Sequence, residues 1–382
     1  MHRLPRFGTA LAVAGILAGA AGATPSLAAG AHRSTSSAGS GASNAVFVAN
    51  DGLEASQIIA YSRSAAGTLT QVGEYATGGK GGQLEGSVVD HTASQGALTY
   101  ERSENLLLAV NAGSNTISAF SVAGDQLKLL QVIGSRGQFP VSVTAYGSYV
   151  YVLNAELGGS IQGFVVNNHR LYPIPGSYRA LHLPVAEPGS GQQFTHTPGQ
   201  IAFTPDGSQL IVTTKAAGQS IEVFKAHPLS PQGVITPEPG AVPFAITFDG
   251  AGDALIAEAG PSALASFALN FTGNATLLDS VATEQKGACW VVAAAGYYYT
   301  SNTGSASLTG FQAGAGGVLT KLANTETHPG PVDAASVGNF VYVQGGKEGT
   351  VDEFEVQDGG SLKSLGSVVV PGAAGAEGIV AG

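Results

Sequence analysis

The sequence predicts an all-β fold, a seven-bladed β-propeller, and three observations carry this prediction. An aromatic residue recurs at the same position of a repeated sequence pattern: Tyr61, Phe120, Phe164, Phe224, Phe267, Phe311 and Phe354. Successive members of this set are separated by 59, 44, 60, 43, 44 and 43 residues. Every copy contains short β-rich runs separated by turn residues. The first copy lacks an opening strand, whereas the chain ends in an unmatched one. A repeat of about 40 to 50 residues with strands in each copy is typical of four-stranded propeller blades.

The N-terminal segment is set apart from the repeat by its composition. Arg3 and Arg6 precede an Ala/Gly/Leu-rich stretch and small-residue cleavage sites, a pattern that predicts a signal peptide over residues 1–28. The stretch is short and no stop-transfer pattern follows it, which disfavours a membrane anchor. Residues 29–43 are rich in Gly, Ser and Ala and are predicted to be a disordered linker. We therefore expect a secreted or cell-envelope protein whose propeller occupies residues 44–382.

The repeat units follow one another along the chain, and the unit predicted to form blade 6 shows the sequence pattern most clearly. Its predicted strands A to D centre on residues 291–293, 297–300, 308–311 and 318–322, with Gly- and Asn-containing turns between them. The first copy begins directly with a B-like strand at residues 45–49, and the chain ends in an A-like strand at residues 377–381. We expect the C-terminal strand to join the first blade and close the ring, which removes an open sheet edge.

The two long gaps predict where function lies. Both fall in connections from strand D of one blade to strand A of the next, at residues 77–95 and 175–199. These connections and the B to C turns lie on the same face of a propeller, so the insertions are expected to wall one mouth of the channel. The alternative is that they are insertions without a role, which surface loops tolerate at little cost.

Charge and cysteine content exclude several classes of partner. The chain has 26 acidic and 16 basic residues, and the predicted signal peptide contains two of the basic residues and no acidic one, so the remainder carries a formal charge of −12. Such a surface repels nucleic acid and anionic lipid. A single cysteine allows no intramolecular disulfide. We expect a monomer with no nucleic-acid partner and no membrane contact once the signal is removed.

Three short motifs resemble a known family. The stretch Thr204-Pro205-Asp206-Gly207 and the Asn-x-Gly-Ser turns at residues 111–114 and 302–305 are similar to those of seven-bladed propeller lactonases, which include 6-phosphogluconolactonases and carboxymuconate lactonizing enzymes. Family members often carry a histidine pair before strand A of the blade with the Pro-Asp-Gly turn, and an aspartate in its B to C turn. Here those places hold His196 and Lys215. The resemblance implies opening or closing of a lactone ring.

The candidate catalytic residues are few. His196 ends the second insertion and is suited to general-base activation of water, or is a surface loop histidine. Glu258 sits at the B to C turn of blade 5, either as a base or orienting group or as a solvated turn carboxylate. Lys215, expected at the equivalent position one blade earlier, would hold a substrate carboxylate or the developing oxyanion, or pair with Glu258.

Further residues are candidates for substrate binding. They are placed at the predicted channel mouth and comprise Arg136 and Arg179 as anion clamps, Trp290 as an apolar wall, and His328, Asn154 and Asn302. The asparagines at equivalent B to C turns, Asn50, Asn111, Asn154 and Asn302, also fit either a Ca²⁺ site or tight turns. No Ser-hydrolase, zinc or nucleotide motif is present in the sequence, and no cofactor is expected.

Two functions follow from these residues. The first is a secreted lactonase-like enzyme that hydrolyses or forms a small sugar lactone or carboxylated lactone, or acts on another anionic ligand, at the channel mouth. The second is a non-catalytic, ligand- or protein-binding propeller at the cell surface. Convergence of His196, Glu258 and Lys215 on one cavity would favour the enzyme.

Overall fold

Seven antiparallel sheets are arranged as propeller blades in the computed structural model, which describes residues 44–382. The signal peptide and linker predicted over residues 1–43 lie outside the described residues. Strands A of neighbouring blades contact one another, so they line the axis, and strands D lie at the periphery. The predicted seven-bladed all-β propeller is therefore confirmed.

The strands of each blade are as follows, in the order A to D. Blade 1 comprises Ile379–Ala381, Ala45–Ala49, Gln57–Arg63 and Leu69–Ala76. Blade 2 comprises Leu98–Glu101, Leu106–Asn111, Thr116–Ala123 and Gln126–Gly134. Blade 3 comprises Pro140–Tyr146, Tyr149–Asn154, Ser160–Asn167 and a D strand in two pieces, Arg170–Pro173 and Arg179–Ala180. Blade 4 comprises Ile201–Phe203, Gln209–Thr213, Ser220–Lys225 and Val234–Pro237.

The remaining blades are regular. Blade 5 comprises Pro243–Phe248, Ala254–Glu258, Ala263–Leu269 and Ala275–Ala282. Blade 6 comprises Ala288–Ala294, Tyr297–Asn302, Ser307–Ala313 and Leu319–Glu326. Blade 7 comprises Pro331–Val337, Phe340–Gly345, Thr350–Val356 and Leu362–Val369. Short helical turns occur at Ala112–Ser114, Gln193–Thr195, Lys215–Gly218, Thr303–Ser305, Ala315–Gly317 and Asp358–Gly360. No described helix is long and apolar enough to cross a bilayer.

Ring closure follows the predicted route. The C-terminal strand pairs antiparallel with the first strand of the chain, with Val380 opposite Phe47. Ile379 and Ala381 are buried in the core between blades 7 and 1. The first blade is thereby completed by the last residues of the chain, and the inner edge of Ala45–Ala49 is paired.

The seven repeated aromatic residues form part of the core. Each lies in strand C and is at most 3% exposed. They pack across blade boundaries: Phe164 of blade 3, for example, lies in one cluster with Leu108 and Ile117 of blade 2. The repeat therefore specifies the packing between blades, since a large ring at this point fills the space between two twisted sheets.

Candidate functional site

The first insertion closes one mouth of the channel. Its residues 84–95 reach blade 6 on the far side, where the Gln95 side chain exchanges two hydrogen bonds of 3.1 Å with the backbone of Val291. The Trp290 indole donates to the Ser94 carbonyl at 2.6 Å. The His91 amide donates to the Gly375 carbonyl at 2.7 Å. The segment thus fills the mouth that the two insertions were predicted to wall.

The second insertion lies against the first. The Glu85 carboxylate accepts the amides of Gly189 and Gly191 at 3.1 and 2.8 Å, and the Glu85 amide donates to the Gln193 side chain at 2.7 Å. The Phe194 amide donates to the Glu85 carbonyl at 3.3 Å. The two insertions therefore form one cover over the axis.

Lys215 fastens both insertions to blade 4. Its ammonium donates to the Ala93 carbonyl of the first insertion at 2.6 Å, and to the Phe194 carbonyl and Thr197 hydroxyl of the second at 2.6 and 2.8 Å. The side chain is 2% exposed and its charge lies 5.4 Å from the centre of the Phe244 ring. Burial lowers the pKa of Lys215 to about 7, although the charge of Asp90 acts in the opposite sense. All three ammonium hydrogens are used, which makes Lys215 a positioning residue for the cover.

Four buried carboxyl groups lie in the same region, and the sequence reasoning missed all of them. They are Asp51, Asp90, Asp333 and Glu377, each less than 5% exposed. Burial, and then the charge of Asp90, raises the pKa of Asp51 to about 8. Burial likewise raises the pKa of Asp90 and of Asp333. The pKa of Glu377 is raised by burial and by the neighbouring Asp333 and Asp90. We call the cover, Lys215 and these carboxyls the covered mouth.

Three carboxyls of the covered mouth, those of Asp90, Asp333 and Glu377, bind backbone or hydroxyl groups, whereas the Oδ2 atom of Asp51 is buried without a hydrogen-bond partner. Asp90 accepts the amides of Thr92 and Ser94 and the Thr92 hydroxyl, each at 2.8 Å. Glu377 accepts the amides of Gly96 and Ala97 at 2.8 and 3.2 Å. Within residues 44–382, no three His, Cys, Asp or Glu residues are placed to hold a metal ion. The signal in the sequence was weak, because Asp51 and Asp90 occur in turn-like stretches and Glu377 precedes a short strand.

His196 lies at the rim of the covered mouth, beside a cleft of about 200 Å³. The cleft is lined by Glu156, Gln193, His196 and Thr197 together with small and apolar residues of blade 3 and the second insertion. The Nδ1 atom of His196 lies 3.0 Å from the Gln192 carbonyl, which can only accept. Nδ1 also lies 3.0 Å from the Thr195 hydroxyl, whose own proton is donated to the Gln192 carbonyl at 2.9 Å. Both neighbours can thus accept a proton from Nδ1, and we infer that Nε2 keeps a free lone pair in the neutral ring. We call this the His196 cleft; Lys215 lies behind it through Thr197.

Glu258 is separate from this site, and its predicted pairing with Lys215 is wrong. Glu258 occupies the repeat position at which other blades have asparagine, and it reaches along its own sheet to accept the Ser280 hydroxyl at 3.1 Å. Thr214, not Lys215, is the equivalent residue of blade 4, since its hydroxyl contacts Ser220 at the start of strand C. No ion pair joins Lys215 to Glu258 in the described chain. Burial raises the pKa of Glu258 to about 7.

The repeated asparagines do not converge on the axis. The Asn111 amide donates to Thr116 and Ser118 at 3.1 and 2.8 Å, and Asn302 makes the same pair of bonds in blade 6. Asn154 contacts Ser160 at 3.4 Å, and Asn50 contacts Gln57 at 3.2 Å. Each side chain joins strands B and C of its own blade. The Oδ1 atoms of Asn111, Asn154 and Asn302 are buried without a partner, and the Ca²⁺ site and the substrate contacts of Asn154 and Asn302 stay predictions.

The two arginines proposed as anion clamps differ from each other. Arg179 donates four hydrogen bonds of 2.7 Å to carbonyls, among them those of Ser230 and Leu229 in blade 4. Its guanidinium therefore ties the broken D strand of blade 3 to blade 4, and the clamp interpretation is wrong for this residue. Arg136 is exposed at the start of blade 3, so its predicted role in substrate binding stays a prediction.

Trp290 and His328 also have partners within the fold. Trp290 is 4% exposed and packs edge-on against Phe244, with ring centres 4.9 Å apart. It supports the cover and does not face an open channel, contrary to the predicted apolar wall. The Nδ1 atom of His328 lies 2.5 Å from Asp352, whose other oxygen accepts the His328 amide at 2.8 Å. His328 is thus oriented by a buried carboxylate at a half-exposed site.

Comparison with known proteins supports the fold. No protein-family model matches the chain, and no curated protein matches it in sequence. The solved periplasmic gluconolactonase of Pseudomonas aeruginosa is 19% identical, with a TM-score of 0.70, over 88% of this chain and 98% of its own. A candidate 6-phosphogluconolactonase from Bacteroides uniformis is 16% identical, with a TM-score of 0.69, over the same shares. A functionally unknown protein from Desulfotomaculum acetoxidans is 15% identical, with a TM-score of 0.65, also over 88% and 98%. The chain therefore shares the seven-bladed propeller fold of these proteins.

Proposed function

We propose that the protein is a secreted lactonase-like enzyme that hydrolyses a small lactone in the His196 cleft. The observation that carries the proposal is the state of His196, whose Nδ1 is held by a backbone carbonyl while the ring lines a cleft of about 200 Å³. The solved structures described as gluconolactonases share this fold and add support by analogy. The cleft is smaller than the roughly 300 to 1,000 Å³ of sites for drug-sized ligands, so a single small ring is the expected substrate.

The chemistry would proceed by general-base catalysis. Nε2 of His196 takes a proton from water as the water oxygen attacks the lactone carbonyl carbon. The ring ester bond then breaks, and the proton passes to the departing alkoxide, which yields the hydroxy acid. Gln193 donates one amide hydrogen to Glu156 at 3.2 Å and has a second that would stabilise the developing oxyanion. Lys215 would act indirectly, by holding Phe194 and Thr197 on either side of His196.

The test is the rate at which the full chain opens a panel of small sugar and carboxylated lactones, measured as acid release. We expect His196→Ala to lower kcat by about 100-fold or more, the usual contribution of a general base. His169→Ala is the matched control, because Nδ1 of the exposed His169 also lies close to a backbone carbonyl, that of Glu104 at 3.2 Å, and His169 lines no part of the cleft. Equal loss in both variants, or no loss in His196→Ala, contradicts the assignment. The same assay run on the hydroxy acids tests the reverse, lactonizing reaction.

The competing proposal is a non-catalytic binding propeller at the cell surface. The observation in its favour is the covered mouth, where residues 84–95 occupy the place at which an axial ligand would enter. Failure of every lactone to react with the native chain, combined with unchanged folding, would favour this second proposal.

A further inference from the structure

A second cleft, unrelated to the channel, lies between the outer parts of blades 3 and 4. Its volume is about 740 Å³, within the range of small-molecule sites. One wall is residues 178–182 of the second insertion, and the other is formed by Glu222, Phe224 and the residues leading into strand D of blade 4. We call it the Glu222 cleft. None of its lining residues belongs to the His196 cleft.

The cleft exists because the outer strands are shortest here. Strands D of the five other blades contain eight or nine residues. In blade 3 this strand is broken into pieces of four and two residues, and in blade 4 it contains four. The shorter strands leave part of strand C of blade 4, including Glu222, accessible from between the blades.

Glu222 is exceptional when it is compared with its equivalents in the repeat. It stands two residues before the repeated aromatic, where four other blades also have a polar residue: Ser118, Gln162, Thr309 and Asp352. Each of these four has a hydrogen-bond partner, at 2.7, 2.7, 2.8 and 2.5 Å respectively. Glu222 is 6% exposed, and its carboxyl has no hydrogen-bond or ion-pair partner among the described residues. The carboxyl therefore lines the cleft with its hydrogen-bonding capacity available to a ligand.

The surroundings of Glu222 indicate what would bind it. Phe224, Leu181 and Ile235 give the cleft an apolar lining, and Tyr178 adds a second aromatic ring. The charged or titratable neighbours in the lining are Arg179, His182 and Tyr178. Arg179 donates to four backbone carbonyls, so it is committed to structure. One carboxylate among apolar and aromatic walls is complementary to a single positive charge on an apolar body.

We propose that the Glu222 cleft binds a small organic cation, a primary ammonium attached to an apolar or aromatic group, through an ion pair with Glu222. The ammonium would supply the hydrogen bonds that the carboxylate lacks, and the rings of Phe224 and Tyr178 would contact the apolar part. This inference is independent of the lactone chemistry at His196, since the two clefts are separate.

Ion pairing in this cleft must depend on pH. Burial raises the pKa of Glu222 to about 7. Below that pH the carboxyl is neutral and a cation has to displace its proton, so affinity falls about tenfold for each pH unit. Above it the carboxylate is already ionised, and affinity becomes independent of pH until the ligand amine itself loses its proton.

The experiment is calorimetric titration of the full-length protein with benzylammonium, with benzyl alcohol as the uncharged analogue. We expect benzylammonium to bind at least tenfold more tightly than benzyl alcohol at pH 8, with roughly 0.8 proton released per ligand at pH 6.5. Glu222→Gln should weaken benzylammonium at least tenfold and abolish the proton release. Glu258→Gln is the matched control, because Glu258 is an equally buried acid whose pKa is also raised to about 7, and it should leave binding unchanged.

Three results overturn the proposal. They are no binding of benzylammonium to the native protein, equal binding of benzyl alcohol, and equal affinity in Glu222→Gln. Circular dichroism and thermal melting of the same preparations show whether Glu222→Gln is folded, so loss of the ion pair is distinguished from loss of the fold.

Discussion

The covered mouth and the Glu222 cleft both bury ionisable groups, but they use them differently. In the covered mouth, Lys215 and Asp90 each make three hydrogen bonds, and those of Lys215 hold two insertions in place. In the Glu222 cleft the carboxyl holds nothing and faces open space. The hydrogen-bonded Lys215 and Asp90 stabilise the cover, whereas the Glu222 carboxyl is available to a ligand. Removal of the Lys215 charge should therefore destabilise the fold, whereas removal of the Glu222 charge should stabilise it.

The largest expected effect is that of Lys215→Met, which keeps the length of the side chain and removes its ammonium. The Ala93 and Phe194 carbonyls and the Thr197 hydroxyl would lose their common donor inside the covered mouth. We expect a loss of about 3 to 5 kcal/mol in the free energy of unfolding, together with faster amide exchange in residues 84–95. Denaturant unfolding and hydrogen exchange measure these changes.

Lys363→Met is the control for that substitution. Lys363 is 62% exposed and pairs with Glu355 at the surface, so its loss should cost less than about 0.5 kcal/mol. Equal stability of the two variants would mean that Lys215 does not fasten the cover.

The second largest effect is the pH dependence of the folding stability that the covered mouth contributes. The pKa of Asp51 is raised to about 8 in the folded protein from an ordinary value of 3.8, so the folded state holds the proton more tightly. The stability contributed by this group is complete below about pH 4 and is lost as the pH rises to about 8. The lowered pKa of Lys215 acts in the opposite sense, but only between about 7 and 10.5.

Asp51→Asn isolates this contribution. Asparagine tolerates the positive φ of 49° at this position and cannot ionise. We expect the free energy of unfolding of the variant to exceed that of the native chain by on the order of 3 kcal/mol at pH 8 and to equal it at pH 4. A gain that does not change between these pH values would show that the Asp51 carboxyl is not protonated in the fold.

The smallest effect is expected from Glu222→Gln without ligand. The pKa of Glu222 is raised from 4.5 to about 7, so its ionisation costs stability above that pH, and an uncharged amide of the same shape removes the cost. We expect the free energy of unfolding to rise by about 1 to 2 kcal/mol at pH 8 and to be unchanged near pH 4. Thermal melting of both proteins at the two pH values measures it, and a loss of stability at pH 8 would mean that Glu222 has a partner within the fold.

Different parts of the site were predictable to different degrees. The two insertions were predicted to wall one mouth because their lengths and places are properties of the repeat. The predicted pairing of Lys215 with Glu258 was wrong because Thr214, one residue earlier, is the blade 4 equivalent of Glu258. Neighbouring residues at a turn direct their side chains differently. Glu222 was not singled out, because what distinguishes it is the absence of a hydrogen-bond partner. The partners of its equivalents in other blades lie 15 to 41 residues away in the chain.

The sequence by itself determined the number of blades, the length of each repeat and the closure of the ring by its last strand. These features follow from local patterns of strands, turns and aromatic residues that recur along the chain. Only the tertiary structure decided that residues 84–95 fill the channel mouth, that Lys215 binds both insertions, and that Glu222 is left unpaired. Those outcomes depend on which distant backbone groups come within about 3 Å of a buried side chain, and periodicity in the sequence carries no information on such contacts.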